Sequence, residues 1–394
     1  MTMRALKTNL SLLLFLLMSL AADAQQNVSY REGGLISPQV NSDNTVTFRL
    51  FAPRAKSVVV LADWEANSGK GEMRRGKEGV WEYTSPVLPS EMYTYRFDID
   101  GVVNIDPTNP FTRRDVGNIF SVFFIGGGEA DYYQVRDVPH GNLTTTWYHS
   151  DELGADRRMS VYTPPFYGKE NRSYPVLYLL HGSGGDESAW VELGNTVRII
   201  DNLIAEGKAE PMIVVMPNGN TSKQAAPGES DENLGYRPVM TNRLPGYKDG
   251  RYERAFPEIV HFIDATYRTI PDKAHRAIAG LSMGGFQSLY IALNHPGYFD
   301  YIGLFSAGLD MSTVDQTLPA YANPDEKLDN LHKAGYKLFW NGCGTADRLY
   351  PFCKELDERM RAKGMRTIFH ESRRGHLWSN WRQYLLLFTP QIFK

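Results

Sequence analysis

A serine flanked by glycines, Gly280-Leu281-Ser282-Met283-Gly284, closes the apolar run RAIAG and precedes FQSLYIALNHP (286–296). The run has the character of a buried strand, and the segment after it has helical periodicity. A G-x-S-x-G turn between a strand and a helix holds its serine on strained backbone. The flanking glycines let strand and helix approach, and the hydroxyl stands above the sheet beside the helix N-terminus. A chain carrying this element needs a sheet for it to stand on, and the flanking segments supply one.

RMSVYTP (158–164), YPVLYLLHG (174–182), MIVVMPNG (212–219), YIGLFSAG (301–308), KLFWNGCG (337–344) and RTIFHESRRGH (366–376) are expected strands with their exit turns. VRIIDNLIAEG (197–207) and FPEIVHFIDATYR (256–268) are expected helices. Continuous apolar strands alternating with helices predict an α/β fold: a mainly parallel sheet with helices on both faces. Residues 220–250 form a long polar stretch with Gly and Pro, and such loops in compact domains are commonly functional.

The N-terminal part differs. VTFRLFAP (46–53), SVVVLADW (57–64), GVWEYTSPV (79–87) and MYTYRFDIDG (92–101) alternate at period two between turn clusters. They predict a small all-β, immunoglobulin-like sandwich. Gly71 to Lys77 imitates a phosphate loop. Glu78 stands where Ser or Thr is required and no helix follows, so that reading is set aside. Arg4 and Lys7, the apolar stretch Leu10–Leu20 and Ala22-Asp23-Ala24 form a secretory signal, with Gln25 as the mature N-terminus. The expected organisation is 1–24 signal peptide, 25–126 sandwich, 127–139 linker and 140–394 catalytic domain. The expected localisation is export, to the periplasm or the medium.

Lys plus Arg number 42 and Asp plus Glu 45, a net charge of -3. That balance argues against a nucleic-acid binder. Cys343 and Cys353 are the only cysteines, too few for a disulfide framework and expected as buried thiols. No H-E-x-x-H pattern or Cys-His cluster occurs, and no G-x-G-x-x-G follows a strand. Neither a metal nor a cofactor is expected.

A serine hydroxyl needs a base to become a nucleophile. After such a turn the acid and then the histidine follow in chain order. His376, past the last strand and before the final helix, is the expected base, with His370 second. Asp347, three residues beyond the strand ending at Gly344, is the expected acid, with Asp310 the competitor and helix capping an additional role for Asp347. The oxyanion hole needs two N–H donors. Met283 is expected to give one and Ser183 the other, with Gly184 second. His181 is expected to bond turn backbone. A noncatalytic binding protein on this scaffold is disfavoured by an intact Ser, Asp, His order.

LLHGSGGDESAW (179–190), RAIAGLSMGGFQSL (276–289), NGCGTAD (341–347) and GHLW (375–378) together resemble the esterase D-type α/β hydrolases, including carbohydrate esterase family one. The resemblance spans residues 140–394. The sandwich is similar to early-set domains and family 48 carbohydrate-binding modules. The resemblance implies ester hydrolysis through an acyl-serine, with Ser282, His376 and Asp347 as triad. It implies a feruloyl esterase acting on plant cell-wall polysaccharide, xylan or arabinoxylan, or on its feruloylated oligosaccharides. The alternatives are an acetylxylan esterase and a ferric-siderophore esterase. Trp190, Trp378 and Trp381 are candidates for an aromatic acyl pocket, with core packing the competing role. Tyr236 and Arg243 are candidates for the leaving-group side, and Trp64 and Trp81 for sugar platforms, Trp81 less so.

Overall fold

The computed structural model describes residues 34–229, 246, 248–309 and 314–394. The signal segment 1–24, Tyr236, Arg243 and Asp310 lie outside the described residues.

The N-terminal module is two antiparallel sheets face to face. β1 (Gln39–Val40), β2 (Val46–Phe51), β6 (Val80–Thr84) and β5 (Arg74–Arg75) form one sheet in that spatial order. The other runs β4 (Lys70–Glu72), β3 (Val58–Ala62), β7 (Glu91–Ile99), β10 (Asn118–Ile125), β9 (Thr112–Asp115), with β8 (Val102–Asn104) also paired to β7. Period-two alternation turns Val46, Phe48 and Leu50 inward against Val60, Tyr95, Phe97 and Phe123. Phe48 meets Tyr95 edge-on at 4.9 Å. Trp64 and Trp81 are 4% and 6% exposed within this core. For Trp81 that corrects the sugar-platform expectation; Trp64 belongs to the same core and also lines a groove beside the module.

The C-terminal part is built on an eight-stranded sheet. Its spatial order is β11 (Asn142–Ser150), β12 (Ala155–Thr163), β14 (Ile213–Pro217), β13 (Val176–Leu180), β15 (Arg276–Leu281), β16 (Tyr301–Phe305), β17 (Leu338–Gly344), β18 (Ile368–Ser372). From β14 onward all pairings are parallel, and β11 and β12 add an antiparallel edge. The apolar runs are continuous because successive residues serve different cores. Val176, Tyr178 and Leu180 pack with helices α2 (Arg251–Thr266), α3 (Met283–Asn294), α4 (Pro324–Ala334) and α5 (Tyr350–Ala362). Leu177 and Leu179 pack with α1 (Thr196–Ala205) and α6 (Trp378–Phe388) on the other face. This is the α/β-hydrolase architecture preceded by an all-β module.

Sandwich and sheet belong to one compact unit, Ser37–Lys394. The connecting stretch is packed: Ala130 and Tyr133, in a 3-10 turn at Glu129–Tyr133, are fully buried against the α1 side of the sheet. A buried ion pair adds to the junction. Arg382 of α6 donates from Nη2 to Glu91 Oε1 of the module at 2.9 Å and to the Met92 carbonyl, and from Nη1 to the Leu193 carbonyl. Arg374 reaches the other Glu91 oxygen at 3.1 Å. Removing Arg382 would leave the buried Glu91 with Arg374 alone and strip the donors from the Met92 and Leu193 carbonyls. Arg382→Leu is therefore expected to cost about 3 kcal/mol of unfolding free energy, measured by denaturant titration. A change below about 1 kcal/mol would place this contact among weak surface pairs.

Candidate active site

β15 delivers Ser282 with φ 51° and ψ -114°, backbone that side-chain-bearing residues rarely adopt. Its N–H donates to the Phe305 carbonyl at 2.9 Å, and its own carbonyl accepts from Phe286 in the first turn of α3. The flanking glycines are required by contact distance. A Cβ on Gly280 would sit 2.4 Å from the Gly284 carbonyl carbon, and one on Gly284 would sit 2.4 Å from the Leu180 oxygen. The close crossing of β15, α3 and the β13 exit leaves Ser282 Oγ at the floor of a cleft.

His376 Nε2 lies 2.9 Å from Ser282 Oγ, and its Nδ1 lies 2.8 Å from Asp347 Oδ2. The three expected side chains, distant in sequence, meet in one chain of hydrogen bonds. With Nδ1–H donating to the carboxylate, Nε2 is left as acceptor for the serine proton. Asp347 also accepts the Leu349 N–H on Oδ1 at 2.9 Å, just ahead of α5. Orienting the imidazole and holding the Leu349 amide thus use different oxygens, and α5, whose N-cap is Leu349, starts with no side-chain cap. Burial raises the Asp347 pKa, but bonds from His376, the Leu349 amide and the Ser306 hydroxyl outweigh it, so the carboxyl stands below its ordinary value.

The competing histidine is elsewhere. His370, on β18, stacks on Trp340 at 5.7 Å, and burial lowers its pKa. His181 is 1% exposed and bonds turn backbone: Nδ1 to the Gly182 carbonyl at 2.7 Å, Nε2 from the Gly219 N–H at 2.8 Å. Met283 is the first residue of α3, where amides lack an intrahelical partner. Ser183, in the turn after β13, lines the same cleft as Met283 and Ser282.

That cleft, about 910 Å³, is lined by Lys248, Phe286, Arg348 and Phe352, by Trp378 and Trp381, and by Asp115 and Val116 from the β9–β10 hairpin of the module. A second groove of about 710 Å³ continues from His376, Trp378, Trp381 and Asp115 along the module, past Phe120, Arg96 and Glu65. The module is thus a wall of the site. The hairpin is fixed by Arg114, which bonds Asp186 at 2.7 Å and Ser188 at 2.9 Å. Burial raises the Asp115 pKa against a hydrogen bond with Trp378.

Trp378 and Trp381 both face the cleft, whereas Trp190 does not. Trp190 is 1% exposed, its Nε1 held by the Leu180 carbonyl and its ring edge-on to Trp378 at 5.3 Å. That corrects its assignment to the acyl pocket: it backs Trp378 and touches no ligand space. Of the wall residues that sequence reasoning missed, Arg348 carried a signal, its adjacency to Asp347. Asp115, Val116 and Phe286 carried none, because what brings them to the cleft is tertiary packing. Cys343 and Cys353 are both free and buried.

Residues 150–390 match the family described as "Putative esterase". The chain belongs to this esterase family. The esterase's module matches, over residues 36–112, the family described as carbohydrate-binding module 48 (isoamylase N-terminal domain). An endo-1,4-beta-xylanase/feruloyl esterase of Xylanibacter ruminicola is 33% identical over 369 residues, 91% of this chain. The esterase spans 46% of that relative's length. A solved ferulic acid esterase is 27% identical with a TM-score of 0.51, covering 64% of this chain and 97% of its own. The enterobactin esterase of Shigella flexneri has a TM-score of 0.62 at 16% identity over 88% of this chain and 92% of its own, a likeness of fold.

Proposed function

We propose that this esterase is exported after cleavage before Gln25 and releases hydroxycinnamoyl acid, ferulic acid first, from feruloylated xylan or its oligosaccharides. The observation that carries the chemistry is the Ser282–His376–Asp347 hydrogen-bond chain at the floor of an aromatic-walled cleft. The acyl group is suggested by the feruloyl esterase named among the relatives.

In this reading His376 Nε2 takes the Ser282 proton as Oγ attacks the ester carbonyl. The oxyanion is held by the N–H groups of Met283 and Ser183. His376 then gives its proton to the departing sugar oxygen, leaving an acyl-Ser282. Water, activated by the same imidazole, releases the acid and restores the serine. The leaving alcohol must lie on the His376 side, and there the cleft opens into the module groove, with carboxylates, three arginines and aromatic surface for a neutral polyol. Trp378 and Trp381 give flat apolar surface beside the serine.

The test offers the chain from Gln25 onward both methyl ferulate and acetylated xylan, with Ser282→Ala as control. Ferulate release that the control lacks supports the reading. Acetate release without ferulate would transfer the site to an acetylxylan esterase. No release from either substrate, with the serine still reactive to a fluorophosphonate, would favour the siderophore ester.

A further inference from the structure

The turn that offers the Ser183 N–H runs straight into two buried carboxylates, Asp186 and Glu187, 3% and 2% exposed. The Gly185 N–H closes that turn on the Gly182 carbonyl at 3.1 Å. A buried carboxylate is costly unless donors answer it. These two are answered from different parts of the chain. Glu187 is held by the esterase part itself: Arg158 of β12 donates to it at 2.6 Å, Asn218 at 2.9 Å and the Ala226 N–H at 2.9 Å. Asp186 is held from the module.

Arg114 of β9 makes that contact. Its Nη2 donates to Asp186 Oδ2 at 2.7 Å and to Ser188 Oγ at 2.9 Å. Ser188 in turn donates its N–H and its hydroxyl to Asp186 Oδ1, at 3.0 and 2.6 Å. Guanidinium, carboxylate and hydroxyl close a ring of charge-assisted hydrogen bonds, the strong kind. Nη1 of the same guanidinium donates to the Val116 carbonyl at 3.1 Å. Val116 lines the same cleft as Ser183, and its φ is 53°, where a β-branched residue is rarely found. Backbone of this kind persists only where the surroundings over-determine it. Arg113 adds a second tie, from Nε to the Glu192 carbonyl at 3.0 Å. The hairpin is thus fastened to the segment that continues the Ser183 turn, and one guanidinium joins the hairpin tip to that turn.

We propose that Arg114 is a positioning residue for ester hydrolysis: through it the module fixes the turn 182–188, so that the Ser183 N–H meets the oxyanion. The proposal rests on the reading of Ser282 as nucleophile and Ser183 as an oxyanion donor. Arg114 acts through Asp186 and touches no substrate. The module thereby completes the reaction centre, a role separate from any contact with glycan.

Arg114→Ala, Arg114→Lys and Asp186→Asn are assayed in the full chain with p-nitrophenyl acetate, which carries no sugar, so lost glycan contacts cannot enter. The kcat is expressed per Ser282 titrated by a fluorophosphonate, so an unfolded fraction drops out. Arg114→Ala is expected to lose about 30-fold in kcat, less than outright removal of an oxyanion donor, with KM within about twofold. Affinity for an aryl trifluoromethyl ketone, whose adduct with Ser282 places an oxyanion in the hole, is expected to fall by the same factor. Millimolar guanidinium is expected to restore kcat in Arg114→Ala and to leave wild type unchanged. Arg114→Lys keeps the charge without the fork and is expected between the two. Asp186→Asn breaks the same pair from the turn side. Should Arg114→Ala not fold, that variant and Arg114→Lys decide the matter by the same kcat and ketone readouts. The proposal is overturned if the variants keep kcat within about threefold, or if kcat falls while the ketone binds as it does to wild type. A wild type inert toward the ester would instead overturn the underlying catalytic reading.

Discussion

Ser282→Ala is expected to lower kcat for ester hydrolysis by about 10⁵- to 10⁶-fold, the size found when the nucleophile of an acyl-transfer triad is removed. Nothing else in the cleft can replace it. His376 Nε2 would face a methyl group 94 residues away in sequence, with no oxygen to activate. The oxyanion donors would remain and give only the residual catalysis that polarising the carbonyl provides. The fold is expected to survive. The backbone at residue 282 keeps its N–H bond to Phe305, and Ala accepts the φ of 51° about as poorly as Ser. Initial rates paired with thermal melts separate the two effects. Residual activity within tenfold of wild type would remove Ser282 from the mechanism.

Asp347→Asn is expected to cost about 10⁴-fold in kcat, with little change in KM. The amide nitrogen would donate to His376 Nδ1, the atom that now donates to Oδ2 at 2.8 Å. The imidazole proton would then sit on Nε2 and point at Ser282 Oγ as a donor. The base would be present in the wrong tautomer, geometry intact. Asp310→Asn is the comparison, since that residue competes for the same role from the sequence. If Asp310→Asn is the damaged enzyme and Asp347→Asn is not, the acid has been assigned to the wrong loop.

The candidate active site was legible because each part has a local signature. Ser282 sits in a pentapeptide whose glycines are imposed by contacts under 3 Å to neighbouring backbone, so spacing alone reports the geometry. Asp347 and His376 follow from chain order and from the exits of β17 and β18. The sheet was legible because β13 to β16 are buried on both faces and read as unbroken apolar runs.

The substrate side was harder to see. β11, NLTTTWYHS, is a largely exposed edge strand, so no apolar run marks it. α2 begins at Arg251, five residues before its apolar stripe becomes visible, and holds Pro257 inside its first turns. Trp190 and Trp378 look alike as letters. Only packing shows that one backs the other. The module hairpin reaches the cleft through Arg114 and Asp186, residues 72 positions apart, and no pattern within either segment announces that contact.

The most direct test of the account is a fluorophosphonate titration of the chain from Gln25 onward, with methyl ferulate hydrolysis and peptide mass mapping followed in the same samples. Hydrolysis is expected to fall to zero in proportion to a single phosphonyl adduct, and that adduct is expected on the peptide containing Ser282. Hydrolysis that persists when Ser282 is fully labelled, or inactivation by an adduct on another residue, would contradict the account.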